Sequence, residues 1–565
     1  MRKFKFLAVL LCLAMLLTFA AACNKDDDTP SASNSPGTSS EASASPSNSG
    51  QTSTSPSGNE ASPGNTDSGP AAAGGVERDT FSVAVDSDAG LLDPVKVSGG
   101  MYVALMQLYE SLWDIDENGN MIYKLMESYE DHGNFWRCKL REGVYFSSGV
   151  ELKASDVIFS LGYWKAQPVN AVRVQSLDLE RSCVHDEYTV DLYMLNDYYY
   201  FHDTGSCMMM IFCEEGFDED DISINPNGTG PYEVKDYVVN SHLFLERKDE
   251  YWGEKPAIKN LNFRVLAEPS QVVNALTTGM IDYAPIQLAD FDYVDGLSGF
   301  YTISRYIGGG VGLSFNSGVN GYFNRFTDGD KKLEARFAVY HAINPQVLIN
   351  LVYEGKGRIM HNMVPDYMFD YKDEYDHWEP AYDIGYNVER AKELAQSSGL
   401  AGQTISIMTN GLAAAVQTAE IVQSMLAAID VTLEINNYDP ATALSMIYDP
   451  EASHDITVGA GIAPNSRVCD LLLNGVRYSS TLTLPGSFTN NEHYLAICAQ
   501  MAHEPDNAKR VAITEECLRM YTDNAIGFGL CVYQTCYAMA DDVQPDTVVY
   551  SVTSNFVRYE MLKFK

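Results

Sequence analysis

Strand-like segments alternate with amphipathic helices along most of this chain, and that order constrains its fold more than any other feature. Five short segments rich in Val, Tyr and Phe, with apolar residues at alternate positions, are typical of β-strands. They are residues 80–86, 188–194, 242–248, 261–266 and 431–436. Strands interleaved with helices predict an α/β fold whose sheets are partly parallel.

Two predicted helices show clear signals in the sequence. Residues 388–398 follow Asn387, a residue that caps helix starts, and precede Gly399, a residue that ends helices. Residues 416–429 carry an apolar stripe at fourfold spacing and lead directly into a predicted strand. The other predicted helices cover residues 101–109, 495–502 and 507–521.

The first residues are typical of an export signal. Three basic residues precede an apolar run that ends at Ala22, and Cys23 stands directly after it. The run is too short for a stable membrane span. Residues 19–23 resemble a lipoprotein signal, in which the cysteine is lipidated; the alternative is ordinary cleavage and a secreted protein. We predict a signal peptide at residues 1–22 and lipidation at Cys23.

A polar segment separates this signal from the rest of the chain. Residues 29–75 contain 14 serines and no aromatic residue. Such a composition buries too little apolar surface to offset the entropy lost on ordering, which predicts disorder. We expect residues 23–78 to form a lipidated tether and residues 79–565 to form a body large enough for two or three lobes.

The charge of the chain limits its partners. The formal net charge is −38, and nucleic-acid binding needs clustered positive charge, so a nucleic-acid partner is not expected. Two interpretations stay open, a solvated acidic surface or a bias toward cationic ligands.

The cysteines give no sign of a zinc site. The chain has eleven cysteines, nine of them beyond the signal and Cys23, and none forms a C-x-x-C pair. Several lie in apolar runs, which is typical of small buried side chains. Export permits disulfides, but the spacing assigns none. The nine are Cys138, Cys183, Cys207, Cys213, Cys469, Cys498, Cys517, Cys531 and Cys536.

The sequence contains no clear catalytic or metal-binding motif. G-x-S-x-G, H-E-x-x-H and P-loop patterns do not occur. Residues 114–120, DIDENGN, begin like a calcium-binding EF-hand loop. Such a loop needs a bidentate Glu at its twelfth position, where this chain has Leu125. We interpret the segment as a turn, and we predict neither a metal site nor a cofactor.

Several segments in order along the chain resemble one family, the extracellular solute-binding proteins of ABC importers in the peptide- and nickel-binding family 5. Any one of the segments is weak, but together they span the body of the chain. They are 92–94 (LDP), 108–112 (LYESL), 140–146 (LREGVYF), 152–160 (LKASDVIFS), 228–232 (GTGPY), 245–247 (LER), 251–253 (YWG), 279–282 (GMID), 313–316 (LSFN), 335–336 (AR) and 342–344 (AIN).

Most of these motifs have architectural explanations. In GTGPY the glycines permit positive φ or close backbone approach, and Pro231 fixes the next turn. Ser155 can cap a helix, with Asp156 at its positive end. The motifs therefore indicate the fold better than they indicate the ligand.

The resemblance implies a fold of the type II periplasmic-binding-protein class, with three lobes and a hinged ligand cleft. Ligand would bind between lobes I and III, which close around it. Lobe I would comprise residues 79–112, 213–312 and 525–565, lobe II residues 113–212, and lobe III residues 313–524.

The resemblance also implies two ligand-contacting segments. The segment after LDP supplies backbone contacts in the family, and the facing segment comes from lobe III. Here the first is Val97, Ser98, Gly99 and Gly100, and the second includes Gly459, Ala460, Gly461, Ile462, Ala463 and Asn465. Either segment could instead be an ordinary turn.

One family feature is missing. Peptide-binding members carry an aspartate that pairs with the peptide's α-amino group, near the position where this chain has Pro464 and Asn465. Because a buried ammonium without a counter-charge is costly, another carboxylate must serve, or the ligand is not a free-amine peptide.

We expect a monomeric, lipid-anchored receptor on the outer face of the cytoplasmic membrane that captures a solute, with oligopeptide as the leading ligand, and delivers it to an ABC permease. The alternatives are an oligosaccharide or metal chelate as ligand, or a peptide-sensing lipoprotein. A secreted hydrolase is the least favoured, because the sequence supplies no nucleophile and base, and we expect no enzymatic activity.

Overall fold

Four sheets make up most of the regular structure in the computed structural model of the chain. The structure describes residues 78–96, 100–116, 120–167, 174, 177–195, 209–306, 309–316, 318, 320–368, 370–378, 385–447, 449, 451–462, 468, 472, 491–504, 506–550 and 557–565. All of them belong to one compact unit, Val76–Lys565. The predicted signal peptide, Cys23 and the tether as far as residue 77 lie outside the described residues.

The strands and helices are numbered in chain order. The strands are β1 Thr80–Val85, β2 Trp113–Ile115, β3 Met121–Tyr123, β4 Met126–Asp131, β5 Phe135–Leu140, β6 Cys183–Asp186, β7 Thr189–Tyr193, β8 Tyr232–Val238, β9 His242–Arg247, β10 Asn260–Val265, β11 Tyr283–Ile286, β12 Phe300–Arg305, β13 Gly310–Phe315, β14 Gly357–Ile359, β15 Thr404–Thr409, β16 Thr432–Asn437, β17 Ile456–Ile462, β18 Gly527–Tyr533 and β19 Thr535–Ala540. The helices are α1 Tyr102–Leu105, α2 Ala154–Ala166, α3 Glu219–Ile222, α4 Pro269–Thr277, α5 Phe291–Asp295, α6 Gly329–Ala342, α7 Pro345–Val352, α8 Val388–Ser398, α9 Ala413–Ala427, α10 Pro440–Ile447, α11 Asn491–His503 and α12 Asn507–Asp523.

The two larger sheets have mixed strand directions. One has seven strands in the order β12-β19-β11-β1-β10-β9-β8, and the other has six in the order β14-β18-β13-β17-β15-β16. β1 runs parallel to β10 and β11, and β15 runs parallel to β16 and β17. A four-stranded antiparallel sheet, β4-β5-β7-β6, and the hairpin β2-β3 are smaller. These sheets confirm the predicted α/β class. Among the described residues, no helix combines the length and the apolar character that a membrane crossing requires.

Most of the elements predicted from residue pattern are present. Each of the five predicted strands overlaps an observed strand, namely β1, β7, β9, β10 and β16, with bounds that agree to within one residue. Helix α8 begins and ends at its predicted signals: Asn387 Oδ1 accepts a hydrogen bond from the Arg390 backbone N–H at 3.0 Å, and Gly399 has φ of 83°. The helix predicted at residues 101–109 is shorter than expected, since α1 has only four residues.

The predicted start of α2 is wrong in its capping residue. The helix begins two residues earlier than predicted, at Ala154, so Ser155 lies inside the first turn instead of capping it. Asp156 reaches back to the helix start, where its Oδ2 accepts a hydrogen bond from the Lys153 backbone N–H at 2.7 Å. Its Oδ1 accepts another from the Glu214 backbone N–H at 2.8 Å, which joins the helix start to a distant part of the chain.

Of the segment at 114–120, Asp114 and Ile115 end strand β2, Asp116 and Asn120 lie between β2 and β3, and residues 117–119 lie outside the described residues. The Asn120 backbone N–H donates to Asp116 Oδ1 at 2.8 Å, and the Asn120 side-chain amide donates to Asp116 Oδ2 at 3.0 Å. The Asp116 carboxylate, which a calcium site would need as a ligand, therefore accepts hydrogen bonds from Asn120 instead. Within the described ranges, no group of three or more His, Cys, Asp or Glu side chains is placed to hold a metal ion.

The hydrophobic cores follow the sheets. One core joins side chains of the seven-stranded and four-stranded sheets and includes Phe81 and Trp113. A second surrounds the six-stranded sheet and includes Leu313 and Ile407. A third lies between α11 and α12 and includes Met501. The larger sheets therefore have separate cores, which is the arrangement expected of separate lobes.

The chain passes between the two larger sheets at two neighbouring places. β12 continues through Tyr306 and Gly309 into β13, and β18 continues through Gln534 into β19. The two passages are adjacent because Arg305 pairs with Thr535 on one side and β13 pairs with β18 on the other. We call Tyr306, Gly309 and Gln534 the crossing.

The lobe boundaries remain predictions, but the sheets bear on where they should be drawn. The boundary predicted at residue 312 falls inside β13, and the one at residue 525 falls ahead of β18, although both strands belong to the six-stranded sheet. The sheets therefore favour the crossing as the boundary between lobes I and III.

Candidate ligand-binding site

The carboxyl ends of β1 and β11 lie at the edge of the seven-stranded sheet that adjoins the crossing. In the parallel pair, Val83 is opposite Tyr283. Ile286, which ends β11, lies opposite Cys536, and the residue before Cys536 pairs with Arg305 at the end of β12. In open α/β sheets, ligands bind outside the carboxyl ends of parallel strands.

The six-stranded sheet has the same arrangement. Ile462, which ends β17, pairs with Gly310, which begins β13 directly after the crossing. β15 runs parallel to β17, with Ile407 opposite Ile456, so its carboxyl end lies at the same edge. β11 and β17 therefore end beside the crossing, and β1 and β15, each one strand further from it, point their carboxyl ends in the same direction. We call this region the crossing edge.

Gly100 is packed against the end of β1. A side-chain Cβ at this position would lie 2.3 Å from Asp86 Oδ1 and 3.0 Å from the Asp86 backbone N, so a larger residue would displace the Asp86 carboxylate and press on the end of the strand. The Gly100 N–H donates to Ser87 Oγ at 2.9 Å. Val97, Ser98 and Gly99, predicted with it, lie outside the described residues.

The second predicted segment is largely strand. Gly459 lies opposite Gly312, and Ala460, Gly461 and Ile462 continue β17 to its end. A Cβ at Gly459 would make only ordinary contact, at 3.7 Å from the Gly312 carbonyl O. The structure therefore does not require glycine at 459 as it does at 100. Ala463 and Asn465 lie outside the described residues.

A cavity of about 170 Å³ lies at the carboxyl ends of β1, β10 and β11. Its walls are mostly apolar, and they include two carboxylates and no Lys, Arg or His. Sequence reasoning missed these residues; Asp86 was counted as the last residue of the predicted strand at 80–86, whereas β1 ends at Val85. They are Ala84, Val85, Asp86, Leu266, Ala267, Pro269, Val272, Val273, Pro285, Ile286, Gln287 and Asp290.

The end of β15 adds an apolar side chain that sequence reasoning also missed. Leu412 follows the strand and is 56% exposed. Gly411 forms the turn before it. Its φ is 73°, and its backbone N–H donates a hydrogen bond to Thr409 Oγ1 at 3.3 Å. A large exposed apolar residue after a parallel strand is suited to contact with a ligand.

The basic side chains near the crossing contact aromatic rings or pair with carboxylates. The Arg358 guanidinium lies 4.1 Å from the Tyr306 ring centroid, and Arg305 lies 3.8 Å from that of Tyr550. Burial raises the pKa of the Tyr550 hydroxyl, so the ring beneath Arg305 is neutral. Lys356 Nζ lies 3.2 Å from Asp292 Oδ1, joining the segment before β14 to α5.

Comparison with known proteins gives a family match. The model described as "Bacterial extracellular solute-binding proteins, family 5 Middle" matches residues 108–470, more than half of the chain. The chain is 26% identical to the dipeptide-binding protein of Escherichia coli (strain K12) over 239 residues, 41% of this chain and 42% of that protein. It is 22% identical to the oligopeptide-binding protein AppA of Bacillus subtilis (strain 168) over 308 residues, 52% of this chain and 54% of that protein. The matches span about half the length of these two relatives.

Three solved structures are similar over 86% of this chain. DppA from Helicobacter pylori in complex with peptide STSA has a TM-score of 0.68 at 20% identity, over 98% of its length. AppA from Bacillus subtilis in complex with a nonapeptide has a TM-score of 0.68 at 16% identity, over 99%. NikA from Brucella suis in complex with Fe(III)-EDTA has a TM-score of 0.73 at 20% identity, over 100%. At these identities the likeness shows the fold alone, and it confirms the predicted type II periplasmic-binding-protein class.

Proposed function

Since the chain belongs to family 5 of the bacterial extracellular solute-binding proteins, we propose that it captures a peptide at the crossing edge and delivers it to an ABC permease. One observation carries this proposal: parallel strands of both large sheets end at the same two-stranded connection. A ligand held there contacts both sheets, and the connection can act as a hinge.

The mechanism is a shift of population without a covalent step. A ligand that contacts both sheets only when they close favours the closed form by its difference in affinity for the two forms. The closed, loaded form is then the one that a permease recognises. We propose a binding role without catalysis, in keeping with relatives that are named as binding proteins.

Asp86 offers the negative charge that a peptide's α-ammonium needs. The position expected for an acidic anchor holds Asn465, which carries no charge. Asp86 and Asp290 instead contribute carboxylates to the cavity at the ends of β1 and β11, on the opposite side of the crossing. Asp86 is exposed in this structure and would lose water only when the sheets close over a ligand. We assign to it the counter-charge that a buried ammonium requires.

We place the mature protein outside the cytoplasmic membrane as a monomer anchored through lipidated Cys23. The apolar run before Cys23 supports export, and the Ser-rich segment at 29–75 supports a tether of roughly 35–40 Å, the length expected for a flexible coil. Such a tether keeps the binding body within reach of a membrane permease.

Calorimetry on ligand-stripped mature protein tests the ligand class. Peptides of four to nine residues should bind, and N-acetylated versions of the same peptides should bind at least about tenfold more weakly, because acetylation removes the ammonium charge. Asp86→Asn should lose most of this discrimination. Binding of an oligosaccharide or a nickel or iron chelate, with no binding of any peptide, would contradict the proposal.

Uptake separates transport from sensing. A strain without this protein should lose accumulation of a labelled peptide, and the intact gene should restore it. Unchanged uptake, together with a changed transcriptional response to the peptide, would indicate the sensing role instead.

A further inference from the structure

Two buried thiols face each other between α11 and α12. Cys498 Sγ and Cys517 Sγ are 3.7 Å apart, and the two residues are 2% and 0% exposed. One helical turn nearer the connecting loop, Thr514 Oγ1 donates to Met501 Sδ at 3.1 Å. These two contacts fix an antiparallel register in which both cysteines lie on the facing sides of the helices.

We propose that Cys498 and Cys517 form an intramolecular disulfide in the exported protein. Disulfides form and persist in oxidising compartments outside the cytoplasm. The inference goes beyond ligand binding and depends on the proposed function only for the export of the protein.

The geometry favours this pair over any other that is described. A disulfide requires the sulfur atoms to approach to about 2.0 Å, so the present separation must shorten by roughly 1.7 Å. Rotation of two short side chains can supply such a shift. Among the cysteines that the structure describes, no other pair has its sulfur atoms in contact.

The oxidation balances as a thiol–disulfide exchange. The Cys498 thiolate attacks a disulfide sulfur of an exported thiol–disulfide oxidoreductase, which releases one thiolate of that protein. The deprotonated Cys517 then attacks the Cys498 sulfur and releases the second. The two cysteines lose two protons and two electrons, and the oxidoreductase gains them as a dithiol. Since both thiols are buried in the folded protein, the exchange takes place before the two helices close over them.

The disulfide would hold the α11-α12 hairpin closed. The link joins residues 19 apart in the sequence, so it removes conformations from the unfolded chain and stabilises the folded form by a moderate amount. α12 leads directly into β18, the strand that runs to Gln534 at the crossing. The Asn524 carbonyl O, just after α12, also accepts a hydrogen bond from the Arg336 side chain at 3.0 Å. The link therefore secures a helix pair beside one of the two hinge strands.

Peptide mapping tests the disulfide directly. Mature protein recovered from the outside of cells is denatured in iodoacetamide without reductant and digested with trypsin. The two cysteines fall in separate peptides, residues 478–509 and 511–519, each with a single cysteine. We expect one linked species, lighter than the two peptides together by two hydrogens, which reductant separates. Alkylation of both cysteines as free thiols, or linkage of either to another cysteine, would overturn the proposal.

A stability measurement adds a matched control. Reductant should lower the Tm of the wild type by several degrees and leave the Tm of the Cys498→Ala/Cys517→Ala variant unchanged. Cys531→Ala, at another buried cysteine, should keep the response to reductant. A wild-type Tm that is insensitive to reductant would contradict the proposal.

Two further arms separate this inference from the proposed function. Protein that is reduced, unfolded and then refolded in oxidised glutathione tests the pair independently of export, and a pair that stays reduced after refolding would overturn the geometric argument. Peptide binding is titrated on the same samples, so a loss of binding alone contradicts only the proposed function.

Discussion

At the carboxyl end of β1, Gly100 and Asp86 are so close that a larger residue at 100 would force the Asp86 carboxylate to turn away and would crowd the strand end. Gly100→Ala should lower the free energy of unfolding by about 1–3 kcal/mol, the usual cost of overpacking, because its Cβ meets Asp86 Oδ1 and backbone N at 2.3 and 3.0 Å. It should also weaken peptide binding. Gly459→Ala, whose Cβ has room, is the control and should change the free energy of unfolding by less than about 0.5 kcal/mol. Equal effects at both positions in urea denaturation would contradict this distinction.

A second residue pair gives a pH-dependent prediction. Asp191, 5% exposed, accepts two hydrogen bonds from the Arg137 guanidinium, at 2.7 and 2.8 Å, and this pairing lowers the pKa of its carboxyl. The pKa of Asp191 is lower in the folded protein than in the unfolded chain. The ion pair therefore stabilises the folded protein fully above about pH 4, and this stabilisation is lost as the pH falls through the pKa of the folded form. Asp191→Asn should cost about 1.5–3 kcal/mol at pH 7, and the difference should shrink toward pH 2.

The matched control is an exposed pair. Lys392 Nζ lies 2.8 Å from Glu389 Oε1 on the surface of α8, so Glu389→Gln should cost less than about 1 kcal/mol. Urea denaturation across the pH range measures both variants. An Asp191→Asn cost that does not change with pH would show that packing, and not charge, explains the loss.

At the scale of elements, the GTGPY motif is a contact between segments. Gly230 needs no unusual φ; a Cβ there would lie 2.4 Å from the Gln107 carbonyl O, and its N–H donates to the Leu108 carbonyl O at 2.9 Å. Gly230→Ala should therefore lower the free energy of unfolding by about 1–3 kcal/mol or more. Gly162→Ala, in α2 with open space around it, should instead raise that free energy by about 0.5–1 kcal/mol. Thermal denaturation of both variants would contradict this account if the two Tm shifts had the same sign.

The elements also show what local sequence can predict. α8 was predicted with its ends because Asn387 and Gly399 act on their own neighbours along the chain. The cap of α2 was not predicted, because it depends on a distant partner. The Asp156 side chain, at the third helical position, accepts a hydrogen bond from the Lys153 backbone N–H and another from the backbone N–H of Glu214, 58 residues away. Local signals determine an element where no distant partner competes for them.

At the scale of the whole molecule, the site depends on which strands pair and which of their residues lie opposite each other. These pairings join segments far apart in the sequence, so no local sequence pattern specifies them. The sequence resemblance named Gly100 and Gly459, but only the strand pairings bring the ends of β1 and β17 to one crossing. Asp86, Gln287 and Leu412 were missed for the same reason, since each matters through the strand that it follows. Asp86 was counted within the predicted strand at 80–86, and β15, which precedes Leu412, was not among the predicted strands.

The proposed hinge predicts a change in overall dimensions. Peptide should reduce the radius of gyration in small-angle scattering, because the two large sheets close around it. The Asp86→Asn variant should need a higher peptide concentration for the same change. A radius of gyration that is unaffected at saturating peptide would contradict closure.

The ligand that accompanies the protein from its own cells tests the central claim most directly. Mature protein is purified without denaturation, and native mass spectrometry followed by fragmentation identifies what is bound. The account predicts a family of peptide masses with free amino termini, bound one per protein and lost on unfolding. A sugar, a metal chelate, or an unliganded protein that also fails to bind added peptides would contradict it.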